Sequence, residues 1–344
     1  MATILFAPNV HTGGGRVLLE ALDAASAGRI DQAIIDHRMH AVSPAFSREA
    51  TLLVHNRIGS RLYAEWRLWR SACAGDTVLC LHSLPPLLPL RARVVVLIQN
   101  KLLLERSPLT DFAWKTRLRI AIERLWGKHL QSHCDRYIVQ TPSMARALAA
   151  WLRCPVPVVV LAFAAQATQA ASDAQPSADT AAKQFDFVYV ASGEVHKNHL
   201  RLLQAWRLLA DAGLRPTLAL TVDAQRYPEL ARDIESHASQ RSLNIVNLGA
   251  LTGTEVERLY RRAAALVYPS LTESLGLPLI EAARYGLPIV ASELDYVRDV
   301  ASPVQTFDAL SALSMARALR RFLGQTELPL RVSSASEFLD EALQ

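Results

Sequence analysis

The chain has few of the residues that build stapled folds or metal centres. Four cysteines occur in 344 residues. Cys73, Cys80, Cys134 and Cys154 show no metal-ligand spacing, so a cytosolic protein with reduced thiols is expected. No Asp-x-Asp occurs anywhere, so a bound divalent metal is not expected either. Apolar runs fall well short of the roughly 18 residues that cross a bilayer. The opening stretch MATILFAPNVHTGGGR has a short apolar run with no charge ahead of it, so it does not read as a signal peptide. Acid is scarce in the first part of the chain. Residues 1–150 hold 11 Asp+Glu against 19 Lys+Arg, a net +8, while the remainder holds 21 against 18, a net −3, together +5. Nucleic acid, anionic lipid or a phosphorylated acceptor would each answer that basic half. An apolar content of 51% over this length supplies cores for two ordinary domains.

The most informative stretch runs from Tyr268 to Val300, YPSLTESLGLPLIEAARYGLPIVASELDYVRDV. It reads as strand, loop, helix, strand. Pro269 and Ser270 end an apolar run, Pro278 suits a first helical turn, and Gly286 with Pro288 marks the stop. Glu281 then lies one turn into the helix and Glu273 in the loop before it. That loop would aim the amides of Ser274, Leu275, Gly276 and Leu277 at one spot, a natural anion site. Carboxylates beside an anion site suit a ligand that offers hydroxyls next to phosphate. An ordinary helix-start acid and a solvated helix-face acid account for the same pair.

Three further loops follow the same logic. Thr3–Ala7 reads as a strand, Gly13, Gly14 and Gly15 as a close-approach loop, and Arg16–Leu22 as a helix, although the spacing is not G-x-G-x-x-G. Phe185–Val190 reads as a strand that enters Ser192, Gly193, Lys197 and Asn198 before a helix from about His199. Thr217–Thr221 and Asn244–Asn247 read as two more strands, the second leading through Leu251 into a helix over Glu255–Ala264. Apolar runs at 33–36, 51–54, 77–81, 93–98 and 136–140 complete a parallel sheet in the first half. Strand-end logic then points to His82-Ser83, Gln99-Asn100 and Thr141, with a structural role for His82 as the alternative. Residues 164–184, rich in Ala, Gln, Ser and Asp, read as a linker. The expected domains are therefore 1–163 and 185–324, with a last helix over about 325–344 returning to the first. From Asp111 to His133, Trp114, Leu118, Ile122, Leu125 and Trp126 recur at helical spacing among Lys115, Arg117, Arg119, Arg124 and Lys128. That stripe either packs on the sheet or meets a membrane surface.

Pro269-Ser270, Glu273, Gly276-Leu277-Pro278, Glu281-Ala282, Gly286, Pro288 and Ala291-Ser292 together resemble the E-x7-E region of family 4 retaining nucleotide-sugar glycosyltransferases. Ser274 and Leu275 stand where that family usually has Gly-Phe. The resemblance implies an α/β chain with the GT-B fold, two doubly wound Rossmann-like domains facing a central cleft. It implies metal-independent transfer of a hexose-type sugar, mannosyltransferase-like, from a nucleotide sugar to a glycan or lipid-linked acceptor. Surface polysaccharide or glycolipid synthesis is the implied setting, with a cytoplasmic or peripheral-membrane location and no nucleic-acid partner. The nucleotide sugar is a co-substrate, and no other cofactor is implied. Carried over residue by residue, Glu273 and Lys197 become the catalytic pair. Glu281, Gly14, Gly15, Ser192, Gly193, Asn198, Leu251 and the 274–277 loop bind donor, while His11, His82 and Asn100 face the acceptor. Ser192 occupies the neighbourhood of a family arginine, so one expected cation is missing. A catalytically silent sugar-nucleotide-binding subunit and a Rossmann oxidoreductase are the alternatives.

Overall fold

The computed structural model describes residues 1–26, 28–39, 51–104, 114–162 and 183–325. Two sheets organise them. The first contains β1 (Thr3–Ala7), β2 (Gln32–Asp36), β3 (Thr51–Val54), β4 (Thr77–Cys80), β5 (Arg93–Leu97), β6 (Arg136–Val139) and β7 (Val158–Val160), in the spatial order β3-β2-β1-β4-β5-β6-β7. Its helices are α1 (Gly13–Ser26), α2 (Ile58–Ser71), α3 (Trp114–His129) and α4 (Pro142–Trp151). Runs such as the Val-rich β5 are buried on both faces, as parallel strands covered by helices must be.

The second sheet repeats the plan. β8 (Phe185–Tyr189), α5 (His199–Asp211), β9 (Leu218–Leu220), α6 (Pro228–Gln240), β10 (Ile245–Asn247) and α7 (Gly253–Arg261) come first. β11 (Ala263–Tyr268), α8 (Leu277–Arg284), β12 (Ile289–Ser292), α9 (Asp295–Arg298), β13 (Gln305–Phe307) and α10 (Ala312–Phe322) follow. Its strand order is β10-β9-β8-β11-β12-β13. The pairings in both sheets are parallel, for example β1 with β4 and β8 with β11. α5 and α10 cover one face, with Trp206 edge-on to Phe187 at 5.6 Å and its indole N–H donating to Pro216 O. α7 opens on a reciprocal capping box between Thr252 and Glu255, which satisfies helix-start amides with no tertiary help.

Each expected strand forms within a residue or two of its predicted bounds, but the helix expected over 255–264 stops at Arg261, where Ala263 joins β11. β7 and β13 are three-residue strands without a readable pattern. Residues 164–182 of the expected linker and 326–344 of the expected last helix lie outside the described residues. Contacts hold the two halves together. Thr141 Oγ donates to Ser274 O at 3.3 Å, Asp299 accepts from the Ser143 amide at the start of α4, and Arg146 pairs with Asp295 at 3.0 Å.

Candidate active site

In both sheets the first strand lies between the second and the fourth, so the chain reverses direction across the sheet at β1/β4 and again at β8/β11. Crevices open past the carboxyl ends of strands at such points. Here the two crevices face each other across a cleft of about 780 Å³. Gly13, Gly14 and Gln99 line it from the first half, and Lys197, Glu273 and Glu281 from the second. Another hollow, about 680 Å³, lies beside Asp76, Arg93 and Asp135 at the amino ends of β4, β5 and β6. The strand-end rule does not select it.

The loop after β8 and the loop after β11 are tied together. The amide of Leu271 donates to His196 O at 2.8 Å, and Asn198 Nδ2 donates to Pro269 O and to Ala309 O. Tyr189 OH fixes Lys197 O at 2.7 Å. These bonds place Lys197 Nζ 2.6 Å from Glu273 Oε1. The same oxygen accepts from Ser270 Oγ at 2.7 Å and Tyr268 OH at 2.9 Å. Burial works against the Glu273 charge, but the Lys197 ammonium and the hydroxyl donors hold its carboxyl below the usual glutamate value.

Gly276 precedes α8 with φ +74°, a left-handed turn that favours glycine, and a Cβ there would come within 3.1 Å of Leu279. The turn starts α8 beside the cleft, with Pro278 in its first turn. Glu281 projects from α8 and accepts from Tyr260 OH at 2.9 Å. Burial raises its carboxyl against the lowering effect of that bond and of Arg284. From the other side, a Cβ on Gly14 would lie 3.8 Å from Leu277, and one on Gly15 would press on Gln99 at 3.0 Å. The starts of α1 and α8 therefore confront each other across the cleft. Both helix starts carry partly unsatisfied amides, the right lining for an anion.

Ser192, Leu251, Ser274 and Leu275 line the cleft with these groups. Gly193 is needed because Tyr227 lies against it, where a Cβ would come within 2.5 Å of the ring. Three predicted positions do other work. Asn198 is buried and holds the loop from behind, as a left-handed residue at the start of α5. His82 is buried edge-on against Phe6 at 5.1 Å, and burial drives its pKa down to about 4. Asn100 accepts from the Leu102 amide and caps a single 3-10 turn. His11 is half-buried, 3.7 Å from Asp36, with its pKa lowered by burial and by Arg38.

The sequence reading missed Arg226 and Tyr227, which line the cleft from the segment between β9 and α6. The Arg226 guanidinium sits 5.3 Å above the Tyr227 ring and 3.8 Å from Glu194. It lies close enough to His11 of the opposite half to depress its pKa. Glu194 also accepts from Ser192 Oγ and, at 2.6 Å, from Tyr227 OH. A further cation thus reaches the cleft, though from another strand end than the one expected to supply it. The available signal was position alone, five residues past the apolar run 217–221.

Residues 172–337 match the family model described as "Glycosyl transferases group 1". The serotype-specific mannosyltransferase WbdA of Escherichia coli is 25% identical over 228 residues, which cover 59% of this chain and 27% of that one. The putative glycosyltransferase EpsF of Bacillus subtilis (strain 168) is 30% identical over 193 residues, 54% of this chain and 48% of that one. The matched region thus spans about a quarter to a half of these relatives' lengths. Among solved structures, Anabaena HepE in complex with UDP and glucose superposes with a TM-score of 0.64 at 13% identity, covering 94% of this chain and 90% of that one. Sucrose-phosphate synthase from Thermosynechococcus elongatus gives 0.65 at 16% identity, covering 94% and 89%. The fold is therefore that of the GT-B glycosyltransferases. Residues 172–337, just under half of the chain, are similar to the glycosyl transferases group 1 family.

Proposed function

We propose that this chain transfers a hexose from a nucleotide sugar to a glycan or lipid-linked acceptor, with retention of anomeric configuration and without a metal ion. The observation that carries this reading is the Lys197–Glu273 pair, set in the cleft between two facing helix starts. Glu281 accepts the ribose hydroxyls in exchange for Tyr260. Glu273 uses its remaining acceptor capacity for hydroxyls of the donor sugar. Lys197, Arg226 and the 274–277 amides surround the diphosphate. In the reaction the bond from the anomeric carbon to the diphosphate oxygen breaks with its electron pair leaving on that oxygen, and the acceptor oxygen bonds to the carbon while its proton passes to the departing diphosphate. Negative charge grows on the leaving oxygen, where preorganised cations and amides lower the barrier most.

The WbdA name supports a mannosyltransferase-like hexose transfer, and the HepE complex supports a nucleoside diphosphate in this cleft. Arg226 counts against the silent-subunit alternative because it restores the cation that Ser192 does not supply. The first βα loop lacks the dinucleotide spacing, which counts against an oxidoreductase. The test is incubation with a panel of nucleotide sugars, following the anomeric protons by NMR. One donor should be consumed, and its product should keep the donor's configuration. An inverted product would sink retention, and no consumption of any donor with cell-derived acceptors present would sink transfer itself.

A further inference from the structure

α3 is oriented opposite to an ordinary surface helix. Thr116, Ile120, Glu123 and Gly127 face inward, while Trp114, Leu118, Ile122 and Leu125 point out with 54–67% of their surface exposed. The inward side is pinned. Trp126 Nε1 donates to Pro85 O at 2.9 Å, Arg124 Nε donates to Leu102 O, and Gly127 leaves room for Trp151. α2 repeats the arrangement with Ile58, Leu62, Tyr63, Trp66 and Trp69, each 42–81% exposed. The two helices are neighbours. Glu65 of α2 accepts from the Leu87 amide beside the Pro85 carbonyl that α3 holds, and Arg61 of α2 acts electrostatically on Glu123 of α3.

Charge on this surface has one sign. Each helix carries a single acid, Glu65 or Glu123, and both turn inward, where burial raises their carboxyl pKa values, Glu65 to about 7. Arg67, Arg70, Lys115, Arg117 and Arg119 remain on the outside. Two of them lie against the exposed indoles, Arg70 over Trp66 and Lys115 over Trp114, each at 5.7 Å. Cations beside amphipathic rings, around an aliphatic stripe, match the chemistry of a lipid headgroup boundary. A second copy of the chain would set like charges face to face, and nucleic acid would leave Ile58, Leu62, Leu118 and Leu125 without a partner. No described helix is long and apolar enough to cross a membrane, so the contact is with the surface.

We propose that α2 and α3 form a docking face for an anionic lipid bilayer. Arg61 also bonds to Asn9 Oδ1, in the loop between β1 and α1, so the face runs up to the first-half edge of the cleft. On the sugar-transfer reading, docking would bring a lipid-linked acceptor to that edge. The docking itself does not depend on that reading and is measured separately.

The test is co-sedimentation of the full chain with phosphatidylcholine vesicles, with and without phosphatidylglycerol. Binding is expected only to the anionic vesicles at low salt, with a blue shift of tryptophan emission and release as salt rises. The triple variant Arg67→Gln, Lys115→Gln, Arg119→Gln should bind about a hundredfold more weakly. Leu118→Ser with Leu125→Ser should also weaken binding with the charge unchanged. An unaltered circular dichroism spectrum controls for folding in both. Absence of vesicle binding at low salt would overturn the proposal, as would binding that ignores lipid charge and both variants. A dimer in velocity sedimentation that the Leu118→Ser, Leu125→Ser variant dissociates, without lipid binding, would assign the face to a second copy instead.

Discussion

At Glu273, Oε1 receives Lys197, Ser270 and Tyr268, and the price of burying the carboxylate is met by these donors. The sign of the pH effect follows. Its carboxyl is lower in the fold than the ordinary value of 4.5, so the stability it contributes is present above that value and lost as pH falls through the native one. The melting-temperature difference between wild type and Glu273→Gln should therefore shrink under acid. Removing only the cation leaves a charge stranded in a dry site. Lys197→Met should cost about 3–5 kcal/mol, and adding Glu273→Gln should recover most of it. Equal stability of single and double variants in urea would show that the pair is not coupled. Glu281 runs the other way: burial raises its carboxyl, so it withdraws stability as pH rises from the ordinary value through the native one. Both glutamates were legible in the sequence because loop and helix signals surround them. Asn198 was placed by its loop ahead of a helix, and His82 and Asn100 by strand-end logic alone. That logic names a backbone position and cannot say whether the side chain turns to the cleft or away from it.

At the scale of elements, the sequence was most readable where local rules act. The stop of β11 and the Gly276-Pro278 start of α8 need no tertiary knowledge. α2 and α3 show the limit. Periodicity locates an apolar stripe, but the side that faces inward is decided by long-range partners, here Pro85, Leu102 and Trp151. Arg226 escaped for a related reason, since a lone arginine after a strand gains meaning only when the other half of the cleft is in place. The tight contact between Gly193 and Tyr227 supplies an element-scale prediction. A methyl group at Gly193 would meet three Tyr227 side-chain atoms within 2.8 Å, so Gly193→Ala must push Tyr227 and Arg226 outward. Nucleoside diphosphate affinity should fall severalfold while the melting temperature changes little. Unchanged affinity would remove the β9–α6 segment from the donor site.

For the whole molecule, two sheets of the same strand order are set crevice to crevice, and the contacts of Thr141, Ser143 and Arg146 hold that pose. Those contacts were not legible, since nothing in a sequence pairs Ser143 with Asp299. On the proposed reading Lys197, Arg226 and helix starts meet the diphosphate charge, so sugar transfer should persist after exhaustive chelation. Activity that vanishes with EDTA and returns with Mn²⁺ or Mg²⁺ would show that an ion supplies what the side chains are assigned. The most direct measurement of the account as a whole is calorimetric titration of the full chain with UDP, GDP and ADP, repeated on Glu281→Ala. One nucleoside diphosphate should bind at a single site, and the variant should bind it about 1.5–3 kcal/mol more weakly, the scale of charge-assisted hydrogen bonds. No binding of any of the three, or an affinity that Glu281→Ala leaves untouched in a folded protein, would contradict the donor site proposed for this cleft.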